Sequence, residues 1–152
     1  MRRILVAVLA LSLVCAVVAG AAKAGTAEVE FSGGAGGFSP CNGEFVTGSG
    51  PGFAVVSERE GGGQVLIHFS MHLDMTGSFG NAYSVWLYAN KAFAAPTANL
   101  GGGLVYYDVP VHQVAASTTA PSYTSNYLVR VYVLSGQPVA GVFMGPAMEH
   151  CA

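Results

Sequence analysis

The sequence predicts an all-β domain, folded as a single antiparallel β-sandwich or flattened barrel of about seven or eight strands. After residue 24, no window keeps apolar residues at the helical i, i+3, i+4, i+7 spacing for more than a turn. The 21 glycines and 7 prolines interrupt the chain at short intervals, and the segments between them are rich in Val, Ile, Tyr, Phe and Thr. Residues 64–75, QVLIHFSMHLDM, alternate apolar and polar side chains.

Residues 64–75 are expected to form the central strand. Side chains of a β-strand point alternately to its two faces. One face is therefore expected in the core, and it carries Val65, Ile67, Phe69, Met71 and Leu73. The other face is expected at the surface, and it carries His68, Ser70, His72 and Asp74. Because this strand holds two of the four histidines, any functional site is expected to be built against it.

The other strands are predicted from similar patterns, in chain order at residues 27–32, 44–47, 53–58, 82–91, 104–114, 127–134 and 139–144. Glycine-rich or polar connections are predicted at 33–37, 48–52, 58–63, 93–103 and 115–125, with a tail at 145–152. Both faces of 82–91 carry bulky side chains, so that strand is expected to be covered on both sides or to support a partner. Pro110 lacks a backbone donor, which predicts an edge strand or a bulge there.

The N-terminal segment has the three parts of a secretory signal peptide. A basic start, MRR, is followed by an apolar run over residues 4–18 and by small residues that end in AKA. The pattern predicts a signal peptide at residues 1–24 and a mature β domain at 25–152, secreted or periplasmic and without a transmembrane anchor after cleavage. The apolar run is shorter than the ~20 residues that span a bilayer. An uncleaved membrane anchor and a lipoprotein anchor at Cys15 are the two alternatives.

Charge excludes nucleic acid as a partner. Cleavage would remove three of the six Lys and Arg residues and none of the eight Asp and Glu residues. The mature chain would then carry three basic residues against eight acidic ones. Nucleic acid binding needs Lys and Arg to neutralise phosphates, and the same shortage weakens attraction to an anionic membrane surface.

The two cysteines of the mature chain predict one disulfide, Cys41–Cys151. In an oxidising compartment such a pair most simply forms a bridge. It would close a loop of about 110 residues, for which the chain-entropy model gives on the order of 4–5 kcal/mol as an upper figure. A reactive or metal-binding thiol pair is the alternative, but the sequence has no C-x-x-C motif to support it.

The run Cys41-Asn42-Gly43-Glu44, the later His68 strand and the cysteine near the C-terminus resemble a group of small secreted bacterial proteins of unknown function. Members of that group carry a Cys-x-Gly-Glu motif near the start and a terminal cysteine. Asn42 stands where threonine is more usual. The resemblance implies an exported β domain closed by a disulfide, and it implies no activity and no site.

Histidines and acids supply the candidates for chemistry. His72 and Asp74 lie on one face of the central strand and can converge on one metal ion with His112 of a later strand. His68 lies about 13 Å from His72 in such a strand, too far to share that ion. Asp74 and Asp108 are the candidate carboxylate pair of a glycosidase, although outward-facing strand positions explain them more simply. No G-x-S-x-G motif is present.

Aromatic residues supply the candidate binding surface. Trp86, Tyr88, Tyr106 and Tyr132 can form an exposed strip that stacks on sugar rings or packs on a protein, although tyrosines are also ordinary strand residues. An apolar pocket that holds a lipid is a further candidate. We expect an exported non-enzymatic module that binds a ligand or contributes to the cell surface, with a glycan, lipid or protein partner and no cofactor. The alternative is a small secreted metal-binding protein or hydrolase that uses His72, Asp74 and His112.

Overall fold

The computed structural model of the chain describes residues 25–58 and 64–151, with the backbone alone for 146–148. The predicted signal peptide at 1–24 and residues 59–63 of the predicted connection at 58–63 lie outside the described residues. The described residues form eight strands: β1 (Thr26–Phe38), β2 (Phe45–Glu58), β3 (Val65–Gly77), β4 (Ala82–Phe93), β5 (Ala98–Gly101), β6 (Leu104–Ala116), β7 (Tyr123–Leu134) and β8 (Gln137–Cys151).

These strands form one antiparallel sheet in the order β1-β2-β3-β4-β6-β7-β8, and β5 pairs with β6 outside that path. Apart from the β5 insertion, each strand lies beside its neighbour in the sequence. The last strand, β8, also contacts β1 and β2, so the sheet curls into a half-barrel. The prediction of an antiparallel all-β fold is confirmed, in the form of one continuous curled sheet.

The core lies on the concave face of the sheet. The predicted alternation of β3 is confirmed, because Ile67, Phe69, Met71 and Leu73 are buried while His68 and His72 are only partly covered. Each buried side chain of this size stabilises the fold by about 1.5–3 kcal/mol relative to leaving it in water. The neighbouring strands add the same alternation from their own side chains, chiefly Val29, Phe31, Val56, Val85, Leu87, Val109, Val111, Val129, Val131 and Val133.

The expected turn at residues 48–52 is wrong, since β2 runs through it as one strand. A Cβ on Gly48 would overlap the backbone oxygen of Asp74, and one on Gly50 would overlap that of His72. Glycine in a strand often marks such a close approach of two backbones. These glycines therefore let β2 press against β3, and they do not end the strand. The expected loop at 33–37 is wrong too, because Gly33 pairs with Gly50 and β1 continues to Phe38.

Three other segments differ from expectation. The predicted loop at 93–103 contains the short strand β5, and the predicted tail at 145–152 belongs largely to β8, which ends at Cys151. Strand β6 lies inside the sheet, but its pairing with β4 ends at His112 and its pairing with β5 ends at Tyr106. Pro110 lies between these two points and pairs with Leu128 of β7. The missing donor of proline is tolerated there because one side of the strand is locally unpaired.

Candidate functional site

The convex face of the sheet carries an exposed tryptophan on β4. Trp86 is opposite His72 of β3, and half of its surface is exposed. The indole and imidazole rings stack with centroids 4.1 Å apart and an interplanar angle of 19°. A 2.9 Å hydrogen bond joins His72 Nε2 to Ser84 Oγ. The imidazole is thus fixed by a hydrogen bond and by the indole, and it in turn supports the indole.

Beside this ring pair lies a shallow, open groove of about 620 Å³ that crosses β1 to β4. The volume is within the range of small-molecule sites, roughly 300–1,000 Å³. A Cβ on Gly52 would lie 2.7 Å from the Phe31 ring, so the absence of a side chain there makes room for Phe31 in the core beneath the groove. The outward-facing side chains that line the groove are Glu30, Ser32, Pro51, Phe53, Ser70, His72 and Trp86.

One line of outward-facing side chains continues the groove across the sheet. We call it the cross-strand row, and its members lie opposite one another on successive strands: Glu30, Phe53, Ser70, Tyr88, His112 and Asn126. The Tyr88 and His112 rings meet edge to face at 5.2 Å, and 2.9 Å separates His112 Nδ1 from Asn126 Oδ1. Five interstrand spacings of about 4.8 Å give the row a length of about 24 Å.

The surroundings of His72 do not form a catalytic triad. In a triad, serine and aspartate use the two different nitrogens of the histidine ring. Here the same atom, His72 Nε2, approaches both Ser84 Oγ at 2.9 Å and Asp74 Oδ1 at 3.8 Å. The Asp74 side chain is 88% exposed, and an ion pair with such a solvated carboxylate contributes little. The arrangement orients the imidazole ring and does not activate the serine.

The candidate metal ligands do not meet at one point. His72 and Asp74 lie close together on β3, but His112 lies on β6, with β4 in between. Two interstrand spacings amount to about 10 Å, whereas ligands of one ion each lie about 2 Å from it. Within residues 25–58 and 64–151, no three His, Cys, Asp or Glu side chains gather in a metal-binding group.

The predicted aromatic strip divides into two clusters on the convex face. Trp86 and Tyr88 are each half exposed and adjoin the groove. Tyr106 lies six residues from His112 along β6, or about 20 Å away. There the Tyr106 ring lies beside that of Tyr132, with centroids 5.8 Å apart. The structure therefore joins the first pair to the groove and places the second pair at the far end of β6.

The second cluster is organised by an ion pair. Arg130 donates from Nε to Asp108 Oδ1 at 2.7 Å and from Nη2 to Asp108 Oδ2 at 3.0 Å. Its guanidinium carbon lies 4.1 Å from the centroid of the Tyr106 ring. Hydrogen bonding to Asp108 raises the pKa of Arg130 above its ordinary value. Both oxygens of the Asp108 carboxylate are therefore bonded to Arg130. The structure gives no support to a catalytic carboxylate pair of Asp74 and Asp108.

The Cys-x-Gly-Glu run forms a structural corner between β1 and β2. The Cys41–Cys151 disulfide predicted from the sequence is present, with the two Cα atoms 5.5 Å apart. Gly43 has a φ of +72°, a conformation that glycine adopts without strain. Together these features anchor the end of β8 to the entrance of β2.

Glu44 is the residue of this corner that the sequence reading missed. Its side chain is fully buried and accepts hydrogen bonds from the Tyr83 hydroxyl, from Asn42 Nδ2 at 2.8 Å, from Asn81 Nδ2 at 3.0 Å and from the Phe79 N–H at 3.3 Å. Burial raises the pKa of Glu44, but these hydrogen bonds lower it by more, so the pKa lies below its ordinary value. The hydrogen bonds thus keep the buried carboxylate ionised.

Among the described residues, the interior of the curl contains a small apolar space. The space between β1–β3 and β7–β8 is lined by Val29, Phe31, Phe69, Val129 and Val131, among others, and measures about 40 Å³. Since a water needs roughly 10–15 Å³ of such volume, this space has room for only a few waters. This space is too small to hold a lipid chain.

Comparison of the chain with protein-family models, with curated proteins and with solved structures gives no match. In the part of the chain that the structure describes, no helix has the length and apolarity needed to cross a membrane. The evidence for a function therefore comes from the geometry of the groove.

Sequence reading found two groove residues, Trp86 and His72, and missed the opposite wall. Glu30 and Phe53 come from β1 and β2, and the register of two hairpins brings them to the groove. Glu30 alternates with the buried Val29 and Phe31 along β1, so it lies on the outward face. The pairing of β1 with β2 through the glycine segment could not be predicted from the sequence.

Proposed function

We propose that the protein is an exported, non-enzymatic binding module whose ligand site is the convex-face groove at Trp86. The observation that carries this proposal is the half-exposed Trp86 ring stacked on His72 at the wall of an open groove. A large aromatic ring left in water on a supported platform is typical of a surface that stacks on a ligand.

Export is supported by two features. Residues 1–24 have the pattern of a signal peptide. A disulfide joins Cys41 to Cys151, and disulfides persist mainly in oxidising compartments. Both features fit a protein that works in the periplasm or outside the cell.

The alternative of a metal-binding protein or hydrolase has less support. It requires His112 beside His72 and Asp74, and β4 lies between them. The polar contacts of His72 fix the ring under Trp86. A binding role requires no rearrangement of His72 and Trp86.

A ligand screen tests the proposal. Trp86 is the single tryptophan of the chain, so its fluorescence reports on the groove directly. The purified protein is titrated with neutral oligosaccharides, anionic oligosaccharides and phospholipid vesicles, alongside Trp86→Ala measured by calorimetry. Phe79→Ala is the matched control, because Phe79 is 71% exposed and does not line the groove. Saturable binding of one class that is lost in Trp86→Ala and kept in Phe79→Ala supports the proposal. Binding that survives Trp86→Ala, or no binding of any class, contradicts it.

A further inference from the structure

We infer that the ligand of the groove is an extended neutral glycan that lies across the strands, with one sugar ring stacked on Trp86. This inference rests on the proposed binding function and names the class of ligand. The apolar C–H face of a pyranose ring packs on a flat aromatic ring, and its hydroxyl groups need hydrogen-bonding partners at the edge of that contact. The groove provides both kinds of surface.

The polar partners lie on either side of the ring platform. Glu30 presents an acceptor, and Ser32 and Ser70 present hydroxyl groups that both donate and accept. Beyond Trp86, the cross-strand row adds the Tyr88 hydroxyl and the His112 imidazole. Sugar hydroxyls both donate and accept hydrogen bonds. A site that offers donors and acceptors therefore suits them better than a site that offers only one of the two.

Charge excludes anionic glycans. Among the described residues the basic side chains are Lys91 and Arg130. Arg130 is held by Asp108 in the distant cluster. Lys91 is exposed near the end of β4, opposite Ile67, and does not line the groove. The groove thus contains Glu30 and no Lys or Arg, and a polyanion would meet repulsion there without compensation.

Geometry disfavours a peptide or an acyl chain. A peptide gains affinity by adding to a sheet edge, where backbone groups are free. The groove lies on the face of β1 to β4, and Trp86 and His72 are on β4 and β3, which pair with neighbours on both sides. An acyl chain needs an enclosed apolar space, whereas the groove is open and contains a carboxylate and hydroxyl groups.

The length of the row predicts several bound sugar units. The cross-strand row extends over about 24 Å from β1 to β7, whereas Trp86 alone supports one ring. Affinity should therefore rise with chain length. His112 lies on the far side of Tyr88 from the groove, so it should contact long chains and not short ones.

Calorimetric titration tests the inference with neutral hexasaccharides of β-1,4-glucose, β-1,3-glucose, β-1,4-N-acetylglucosamine and β-1,4-mannose, the matching disaccharides, and an anionic hexagalacturonate. At least one neutral hexasaccharide should bind, about tenfold or more tightly than its disaccharide. Trp86→Ala should weaken that binding at least tenfold, Trp86→Phe should restore most of it, and Phe79→Ala should leave it unchanged. His112→Ala should weaken the hexasaccharide and not the disaccharide. Circular dichroism verifies that each variant is folded.

The outcomes separate the two levels of the proposal. Equal affinity for disaccharide and hexasaccharide, or tighter binding of hexagalacturonate, overturns the extended neutral glycan. If phospholipid vesicles alone bind in the ligand screen, and Trp86→Ala abolishes that binding, the glycan class is overturned and the proposed binding function is kept. Failure of every probe to bind contradicts both.

Discussion

Gly77 provides the space that the Glu44 carboxylate occupies. A Cβ on Gly77 would overlap Glu44 Oε2, and both residues are buried. Gly77, the last residue of β3, therefore packs directly against the Cys-x-Gly-Glu corner. The disulfide and the first residues of β2 lie in the same small region, so this corner is expected to contribute to stability.

Gly77→Ala is expected to destabilise the protein by about 1–3 kcal/mol, because the added methyl group must displace a hydrogen-bonded carboxylate. Gly37→Ala is the matched control, since a Cβ on Gly37 meets nothing within 4 Å. Chemical denaturation of both variants gives the two free energies of unfolding. Equal effects of the two substitutions would show that Gly77 is not needed for space.

Glu44→Gln is expected to change how stability depends on pH. The pKa of Glu44 is lowered in the fold, so its ionised form stabilises the protein above the ordinary pKa of a glutamate, about 4.3. That contribution is lost as pH falls through the lowered pKa. The melting temperature of Glu44→Gln should therefore be below that of the wild type at pH 7, and the gap should narrow at pH 3. A gap that stays constant over this range would contradict the role of the charge.

Reduction of the disulfide is expected to lower the melting temperature markedly. Cys41 and Cys151 are 110 residues apart, and closing a loop of that length stabilises a fold by at most about 4–5 kcal/mol in the chain-entropy model. Cys41→Ser should reproduce the effect, and reductant should not lower its melting temperature further. Thermal melts with and without reductant measure both. An unchanged wild-type melt under reductant would mean that the bridge does not stabilise the fold.

Tyr123 is expected to titrate well apart from the exposed tyrosines. Burial raises the pKa of Tyr123 to about 12, while an exposed tyrosine has a pKa near 10. The neutral phenol is thus favoured in the fold, so stability is full below about pH 10 and is lost as pH rises toward 12. Burial also raises the pKa of Tyr83, Tyr107 and Tyr127, so ultraviolet titration of phenolate formation should show several late-titrating tyrosines, and the one near pH 12 should be missing in Tyr123→Phe. Titration of all seven tyrosines in one step near pH 10, in folded protein, would refute this assignment.

The sequence predicted those features that depend on local alternation. Buried Ile67 and partly covered His68 follow from the period of a strand, and the burial of Val129 and Val131 obeys the same rule. The disulfide was predictable because Cys41 and Cys151 are the only pair left after the predicted cleavage. These inferences need no knowledge of the strand order.

Features that depend on contacts between strands were not predictable. The glycines at 48, 50 and 52 were read as a turn because the sequence does not show that β3 presses against β2. The cage around Glu44 joins residues from the corner, the β3–β4 turn and β4. The groove likewise needs the register of three hairpins, which the chain acquires only on folding.

The most direct test of the groove as the ligand site is a map of backbone amide chemical shifts. Labelled protein is titrated with the neutral hexasaccharide that binds most tightly in calorimetry. The shifts should be concentrated at Trp86 and His72, and along the cross-strand row from Glu30 to His112. Shifts concentrated on β8, or at the Tyr106–Tyr132 cluster with none at Trp86, would contradict the assignment of the site.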